Sequence, residues 1–334
     1  MEVTSCLVHT FQMKLAGLQT LRGIAANLVV FFHCFAIGML PKYGFKSQFE
    51  SITFVRNFWS GVDLFFCISG FVMCYSYLNS KVSGHYFFLS RAIRIVPLYW
   101  IFTIANYILL AVLGSQPDCK WLFQSLFFFV DLDVRLPILP AGWTLQYEMF
   151  FYLLFAIALI FFRKQRFVTL NVMLLSTIIL QTKHNLLLEF SFGGIAYLLY
   201  KSNFVIRFKV PLLCLFLAID IVNLLVFEER FATTYRVFIF GIPALFIVTS
   251  IASMNMPKKS LQTTGDYSYS LYLIHFPLLS ICFKFFSNHV SGSTPAWILT
   301  VVSVSICNIA AFFSWKYIEA PMTDFLRNRF LNIS

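Results

Sequence analysis

The sequence predicts an all-α protein that crosses a membrane many times, about ten helices gathered around an internal cavity. Three observations predict it. Of 334 residues, 59% are hydrophobic and 12% charged, against roughly half and a quarter in a soluble domain. Apolar stretches near the ~20 residues that a bilayer requires recur from one end of the chain to the other. The basic residues sit in the short loops between those stretches, so the net charge of +11 reads as membrane topology rather than nucleic-acid binding. A soluble fold is excluded.

The spans expected from hydropathy are 21–40, 60–78, 95–113, 146–162, 167–181, 186–200, 210–227, 236–253, 268–286 and 296–315. An eleventh apolar piece, 121–130, is too short to cross and is expected at the interface. With a cytoplasmic N-terminus, sixteen Lys and Arg fall on the inner side and eight on the outer. That bias places both termini inside and makes the number of spans even. No repeat or low-complexity linker divides the chain, so a single domain over 1–334 is expected, with its core at about 14–321. The first residues lack a basic run and a small-residue cleavage site, so no cleavable leader is expected. The eight cysteines form no CxxC or metal-type spacing and read as small buried apolar side chains; no metal is expected.

The stretch that organises the candidate chemistry is LQTLRGIAANLVVFFHCF, residues 18–35. Arg22 and His33 are eleven positions apart, three helical turns plus roughly 20°, so they share one face about 16 Å apart along the axis. Ionisable groups at that depth must face protein or water. A neutral imidazole there can take a proton from an alcohol and return it to a leaving group. Arg91 and Arg94, in SRAIRIVP, stand three apart at the inner mouth of the third span, and two guanidinium forks suit phosphates. Three arginines at a cytoplasmic mouth below a mid-membrane histidine suit a phosphorylated carrier with a reactive end, a shape coenzyme A has.

Further candidates follow the same logic. Glu148, within WTLQYEMFFY, sits in an apolar setting and needs a partner; it orients a sugar hydroxyl, pairs with an arginine or accepts from His33. Trp143 and Tyr147 flank it. In GVDLFFCISGF, Asp63 either caps its helix or faces the cavity, and Ser69-Gly70 allows close helix approach. In GDYSYSLYLIHFP, Ser268 reads as an N-cap and His275 as a packed residue at a proline kink. The final WKYIEAP reads as an interface anchor with a proline stop. No G-x-S-x-G, P-loop or HExxH is present, so the hydrolase, ATPase and zinc-protease readings have no support.

Taken together, Arg22-x10-His33, Arg91-x2-Arg94, GVDLFFCISGF, WTLQYEMFFY, GDYSYSLYLIHFP and YIEAP resemble, in order, the motifs of the acyltransferase-3 family of membrane O-acyltransferases. The opening LQTLRGIAANLVVFFH is most similar to the branch that modifies exopolysaccharide and O-antigen. The resemblance implies a ten-helix core, His33 as catalytic base, and Arg22, Arg91 and Arg94 serving acyl-CoA. It implies transfer of an acyl group, commonly acetyl, from cytoplasmic acyl-CoA to a hydroxyl of a surface polysaccharide or glycolipid in a bacterial inner membrane. Members with a fused periplasmic domain exist; this chain ends at Ser334 and is expected to be the membrane module alone. Ala320, where a charged residue is usual, and LAGLQT, in place of L-D-G-L-R-G, are departures. The rival class is a transporter or flippase for a lipid-linked sugar or small solute, which predicts two related halves that the sequence does not show. A non-catalytic scaffold leaves Arg22 and His33 without a purpose.

Overall fold

The computed structural model describes residues 16–50, 55–78, 82–112, 114–162, 186–200, 202–227, 235–254, 261–290 and 294–331. Among them there is no strand. The principal helices are α1 (Ala16–Gly38), α2 (Gly61–Tyr77), α3 (Gly84–Val112), α4 (Cys119–Leu126), α5 (Gly142–Phe162), α6 (Leu187–Tyr200), α7 (Asn203–Val226), α8 (Ile242–Ala252), α9 (Ser268–His289), α10 (Ala296–Ser314) and α11 (Ala320–Phe330). Among the described residues, seven helical segments are long and apolar enough to cross a membrane, and two more, Leu187–Tyr200 and Val237–Ala252, are apolar but shorter. This is an all-α polytopic membrane protein. Nine of the ten expected spans therefore coincide with a helix; the remaining one, 167–181, lies outside the described residues.

The helix that holds the third expected span begins well before its apolar stretch. Helix α3 runs for 29 residues, about 44 Å at 1.5 Å per residue and well beyond the ~30 Å of hydrocarbon. Its first turns carry His85, Arg91 and Arg94, which an apolar window rejects but a helix accepts. Helix α7 is bent where Phe208 leaves helical geometry (φ −107°, ψ 17°) just before Pro211, whose missing N–H cannot serve the carbonyl four residues back.

The chain forms two compact units, each assembled from three stretches. The first takes Met1–Val29, Arg56–Lys81 and Lys164–Ser268; the second takes Val30–Val55, Val82–Arg163 and Tyr269–Ser334.

In the first unit α2 and α6 pack backbone to backbone. A β-carbon at Gly70 would fall on the Phe190 carbonyl, and one at Gly193 on the Cys67 carbonyl, so both positions need the small residue that lets membrane helices approach. Helix α8 packs on α6 and α7. Side-chain amides tie loose backbone ends: Asn57 donates to the Leu224 and Phe227 carbonyls at 3.2 and 2.8 Å, and Asn223 to that of Ile239 at 2.6 Å.

In the second unit α3 crosses α5 where Gly84 meets the Ala156 carbonyl, over fully buried Phe87, Phe151 and Phe155. The short α4 hangs from α3 by Tyr99 donating to the Ser125 carbonyl (2.9 Å) and Trp100 to that of Leu126 (2.8 Å). Asp118 caps α4 by accepting the Trp121 N–H, and that bond, aided by Arg135, holds its exposed carboxyl below the usual carboxylate range. The expected proline stop is not one. After α10 the helix runs on without a break through a π-helical turn, Trp315–Glu319, into α11, so it passes Pro321 rather than ending there. Within that stretch Glu319 turns inward: it is 5% exposed and accepts from Ser270 at 2.7 Å. Of the seven described cysteines, Cys34, Cys67, Cys74, Cys282 and Cys307 are buried as expected, whereas Cys119 and Cys214 are exposed.

Candidate active site

Helix α1 carries Arg22 and His33 as anticipated, on one continuous run from Ala16 to Gly38. The decisive geometry is in the second unit, at the C-terminal part of that helix. The Nδ1 of His33 lies 3.3 Å from the Nε2 of His275 on α9. The ring centroids are 4.9 Å apart with the planes tilted 54°. The Nδ1 of His275 is 3.2 Å from the Leu271 carbonyl one turn back on its own helix. His275 is 1% exposed, while His33 is half-buried.

Aromatic edges frame the pair. Phe32 and Phe276 present edges to the His33 ring at centroid distances of 5.0 and 5.7 Å. Tyr272 lies 5.8 Å from the His275 ring, its hydroxyl sharing a 2.6 Å hydrogen bond with Thr144 of α5. Next to His33 the buried Cys34 thiol reaches Thr300 at 3.7 Å. The α9 sequence builds this wall by helical spacing: Tyr272 and His275 are three apart and project from one side.

Also in the second unit, Arg91 lies over the rings of Phe87 and Tyr152, with its guanidinium carbon 5.8 and 5.7 Å from their centroids. Tyr152 donates its hydroxyl to the Glu148 carboxylate one turn away on α5. Glu148 is thus linked through an aromatic ring to an arginine. Arg94 is half-buried on the next turn of α3. Between Arg94 and Pro97, Tyr269 of α9 donates to the Ile95 carbonyl at 2.8 Å. Trp143 and Tyr147 meet edge to face at 6.1 Å, both half-buried.

In the first unit Arg22 donates to Gln19 at 3.3 Å. Asp63 is fully buried and receives two hydrogen bonds of 2.8 Å from Arg236, through Nε and Nη2. Glu189 stands 3.8 Å from the same guanidinium, and the Trp59 ring covers it at 4.6 Å. Ser69 is half-buried on α2. Ser268 is buried and donates to the Gly265 carbonyl at 2.7 Å, stitching the turn Leu261–Asp266 to the start of α9.

Two partners escaped the sequence reading. Arg236 was counted among outer loop charges, yet it is 6% exposed and paired with Asp63; an intramembrane aspartate demands a cation, and an arginine leading the apolar run VFIFGIPALFIV was a readable signal. His275 reads from the sequence as kink and packing, because the imidazole it meets is 242 residues away. Among the described residues no group of three or more His, Cys, Asp or Glu could hold a metal ion.

Residues 15–314 match the model of a protein family described as an acyltransferase domain. The chain belongs to that family. It is 28% identical over 297 residues to the exopolysaccharide production protein ExoZ of Rhizobium meliloti strain 1021, an alignment covering 79% of this chain and 89% of that one. It is 25% identical over 279 residues to a protein of the Acidianus two-tailed virus named as an acetyltransferase, ORF330, covering 76% and 80%. No solved structure matches it. The chain is therefore a multi-pass membrane protein of an acyl-transferring family.

Proposed function

We propose that the protein moves an acyl group, acetyl by family habit, from cytoplasmic acyl-CoA to a hydroxyl of a surface polysaccharide or glycolipid, with His33 as general base. The observation that carries this reading is the imidazole of His33, half-buried within a membrane-spanning helix and hydrogen-bonded to a second imidazole behind it. An ordinary core histidine needs no such arrangement. A base that must meet substrate yet keep one ring orientation does.

The acceptor hydroxyl gives its proton to His33, and its oxygen attacks the thioester carbonyl. A C–O bond forms, the C–S bond breaks, and the departing thiolate takes the proton back from the imidazolium. Arg91 and Arg94 hold the phosphates of the donor, the stacked Arg91 having its planar face fixed by Phe87 and Tyr152; Arg22 joins them by resemblance. Glu148, tied to Tyr152, orients Arg91 or the acceptor. Trp143 and Tyr147 offer apolar faces and polar edges to a sugar, and Asp63, Ser69 and Ser268 support the helices. The exopolysaccharide role in the name of its relative favours a polysaccharide acceptor. The excess of basic residues in alternate loops supports both termini inside, and the bacterial relative favours a bacterial cytoplasmic membrane.

Transfer of labelled acetyl from acetyl-CoA to polysaccharide, in membranes carrying wild type or His33→Ala, tests the reading. Wild type labels sugar, and the variant, matched by size exclusion, falls by about 10²–10⁴-fold. Equal labelling by both removes His33 from the chemistry. No labelling by wild type returns the transport class to first place.

A further inference from the structure

His275 occupies a place that the family motifs leave unassigned, and its hydrogen bonds fix more than its own position. A backbone carbonyl only accepts, so at 3.2 Å from the Leu271 oxygen the Nδ1 of His275 carries a proton and donates it. A neutral imidazole has one N–H, which leaves a lone pair on its Nε2. That atom lies 3.3 Å from Nδ1 of His33. Two lone pairs cannot share a hydrogen bond, so His33 places its proton on Nδ1 and keeps its lone pair on Nε2. The neutral form of His275 is the one that fits its surroundings: it is 1% exposed, against Tyr272, the Cys307 thiol near its carbonyl and the second imidazole, and a charge there would be poorly compensated.

We infer that His275 is a positioning residue: the relay from the Leu271 carbonyl through His275 to His33 sets the tautomer and ring angle of His33, so that Nε2 is the basic nitrogen. The inference rests on the proposed role of His33 as base. The chemistry follows from the same two bonds. When His33 takes the acceptor's proton on Nε2, both of its nitrogens carry hydrogen. The Nδ1–H then donates to a neutral acceptor that is already aligned, so the imidazolium is stabilised without any group having to turn. No proton leaves His33 for His275, and the one gained returns to the thiolate. A neutral imidazole does here what a carboxylate does behind many basic histidines. In a membrane interior that choice avoids burying an anion. The outer ring is reachable and the inner one is not, as base and support require.

The test uses the full-length protein in membranes. His275→Leu removes the acceptor and is expected to lower kcat by roughly 10–100-fold, the range seen when a histidine loses its supporting partner, with KM for acetyl-CoA within about twofold. His275→Gln places an amide oxygen near the lost Nε2 and is expected to recover most of that loss. Solid-state 15N spectra of histidine-labelled protein are expected to show His33 protonated on Nδ1 in wild type and as a tautomer mixture in His275→Leu. Wild-type kcat in His275→Leu overturns the inference. So does a His275→Gln variant as slow as the Leu variant while both elute as wild type, since that marks a packing role. If His275→Leu fails to fold, the Gln variant and the wild-type spectrum decide, and Nε2 protonation in wild type overturns it. Loss in His33→Ala with no loss in His275→Leu sinks this inference alone; retention in His33→Ala sinks the proposed base itself.

Discussion

The two compact units solve one problem in opposite ways. Both bury polar side chains inside apolar helices. The first unit does it with full charges: Asp63 and Arg236 face each other through two 2.8 Å bonds, with Glu189 beside them and Trp59 over the guanidinium. Around His33 the second does it with neutral groups that hand hydrogen bonds along, Leu271 to His275 to His33. A bidentate ion pair fixes two helices firmly, but its charges neutralise each other and leave little to react with. A chain of neutral imidazoles holds less tightly and keeps a lone pair on offer.

This contrast can be broken by substitution. Removing one side of the ion pair, as in Asp63→Ala, takes both 2.8 Å bonds from a buried guanidinium and leaves it only Glu189 at 3.8 Å, and is expected to destabilise by about 3–5 kcal/mol. His33→Ala is expected to leave the melting temperature in detergent nearly unchanged while abolishing transfer. Paired measurements of thermal stability and turnover settle it: an Asp63→Ala protein as stable as wild type but inactive would move Asp63 from the scaffold to the reaction.

A milder change sharpens the scaffold side. Gly70→Val puts a branched side chain onto the Phe190 carbonyl and is expected to cost about 1–3 kcal/mol by forcing α2 from α6. Because Asp63 rides on α2 and Glu189 on α6, the same variant should loosen the ion pair. Its stability loss should therefore overlap that of Asp63→Ala in the double variant rather than add to it. Strict additivity of the two would separate the helix crossing from the ion pair.

The smallest effect lies away from both centres. The carboxyl of Asp118 is held below its ordinary range by the capping N–H of Trp121 and by Arg135. A depressed carboxylate contributes stability that is complete above its unfolded value and fades as pH falls through the folded one. Protection of the α4 amides, measured against the free-chain exchange rate at each pH, should stay flat from neutral pH down to the usual carboxylate range, then fall below it. Asp118→Ala should remove that dependence and exchange faster at every pH. An α4 that exchanges identically in both proteins would show that Tyr99 and Trp100, not the cap, hold it.

Much of this was legible in the residue string. The spans were readable because a bilayer demands unbroken apolar length, a local property. The pairing of Arg22 with His33 on one helix face followed from spacing, and the family followed from motifs in order. The limits of α3 and α11 were misread because hydropathy reports where lipid ends, and a helix can continue into polar surroundings. Proline at 321 looked like a stop because a string does not show that a π-helical turn precedes it and the helix runs on.

Sequence alone determined the class of protein and the family, and it singled out His33 as a candidate, since each depends on composition or on neighbours within a few turns. Only the tertiary structure decided what those residues touch. That Asp63 meets Arg236, 173 positions on, and His33 meets His275, 242 positions on, depends on which helices pack together. Apolar helices all look alike to lipid, so their pairing rests on small residues and on a few buried hydrogen bonds, and a linear sequence shows the donors without showing who receives.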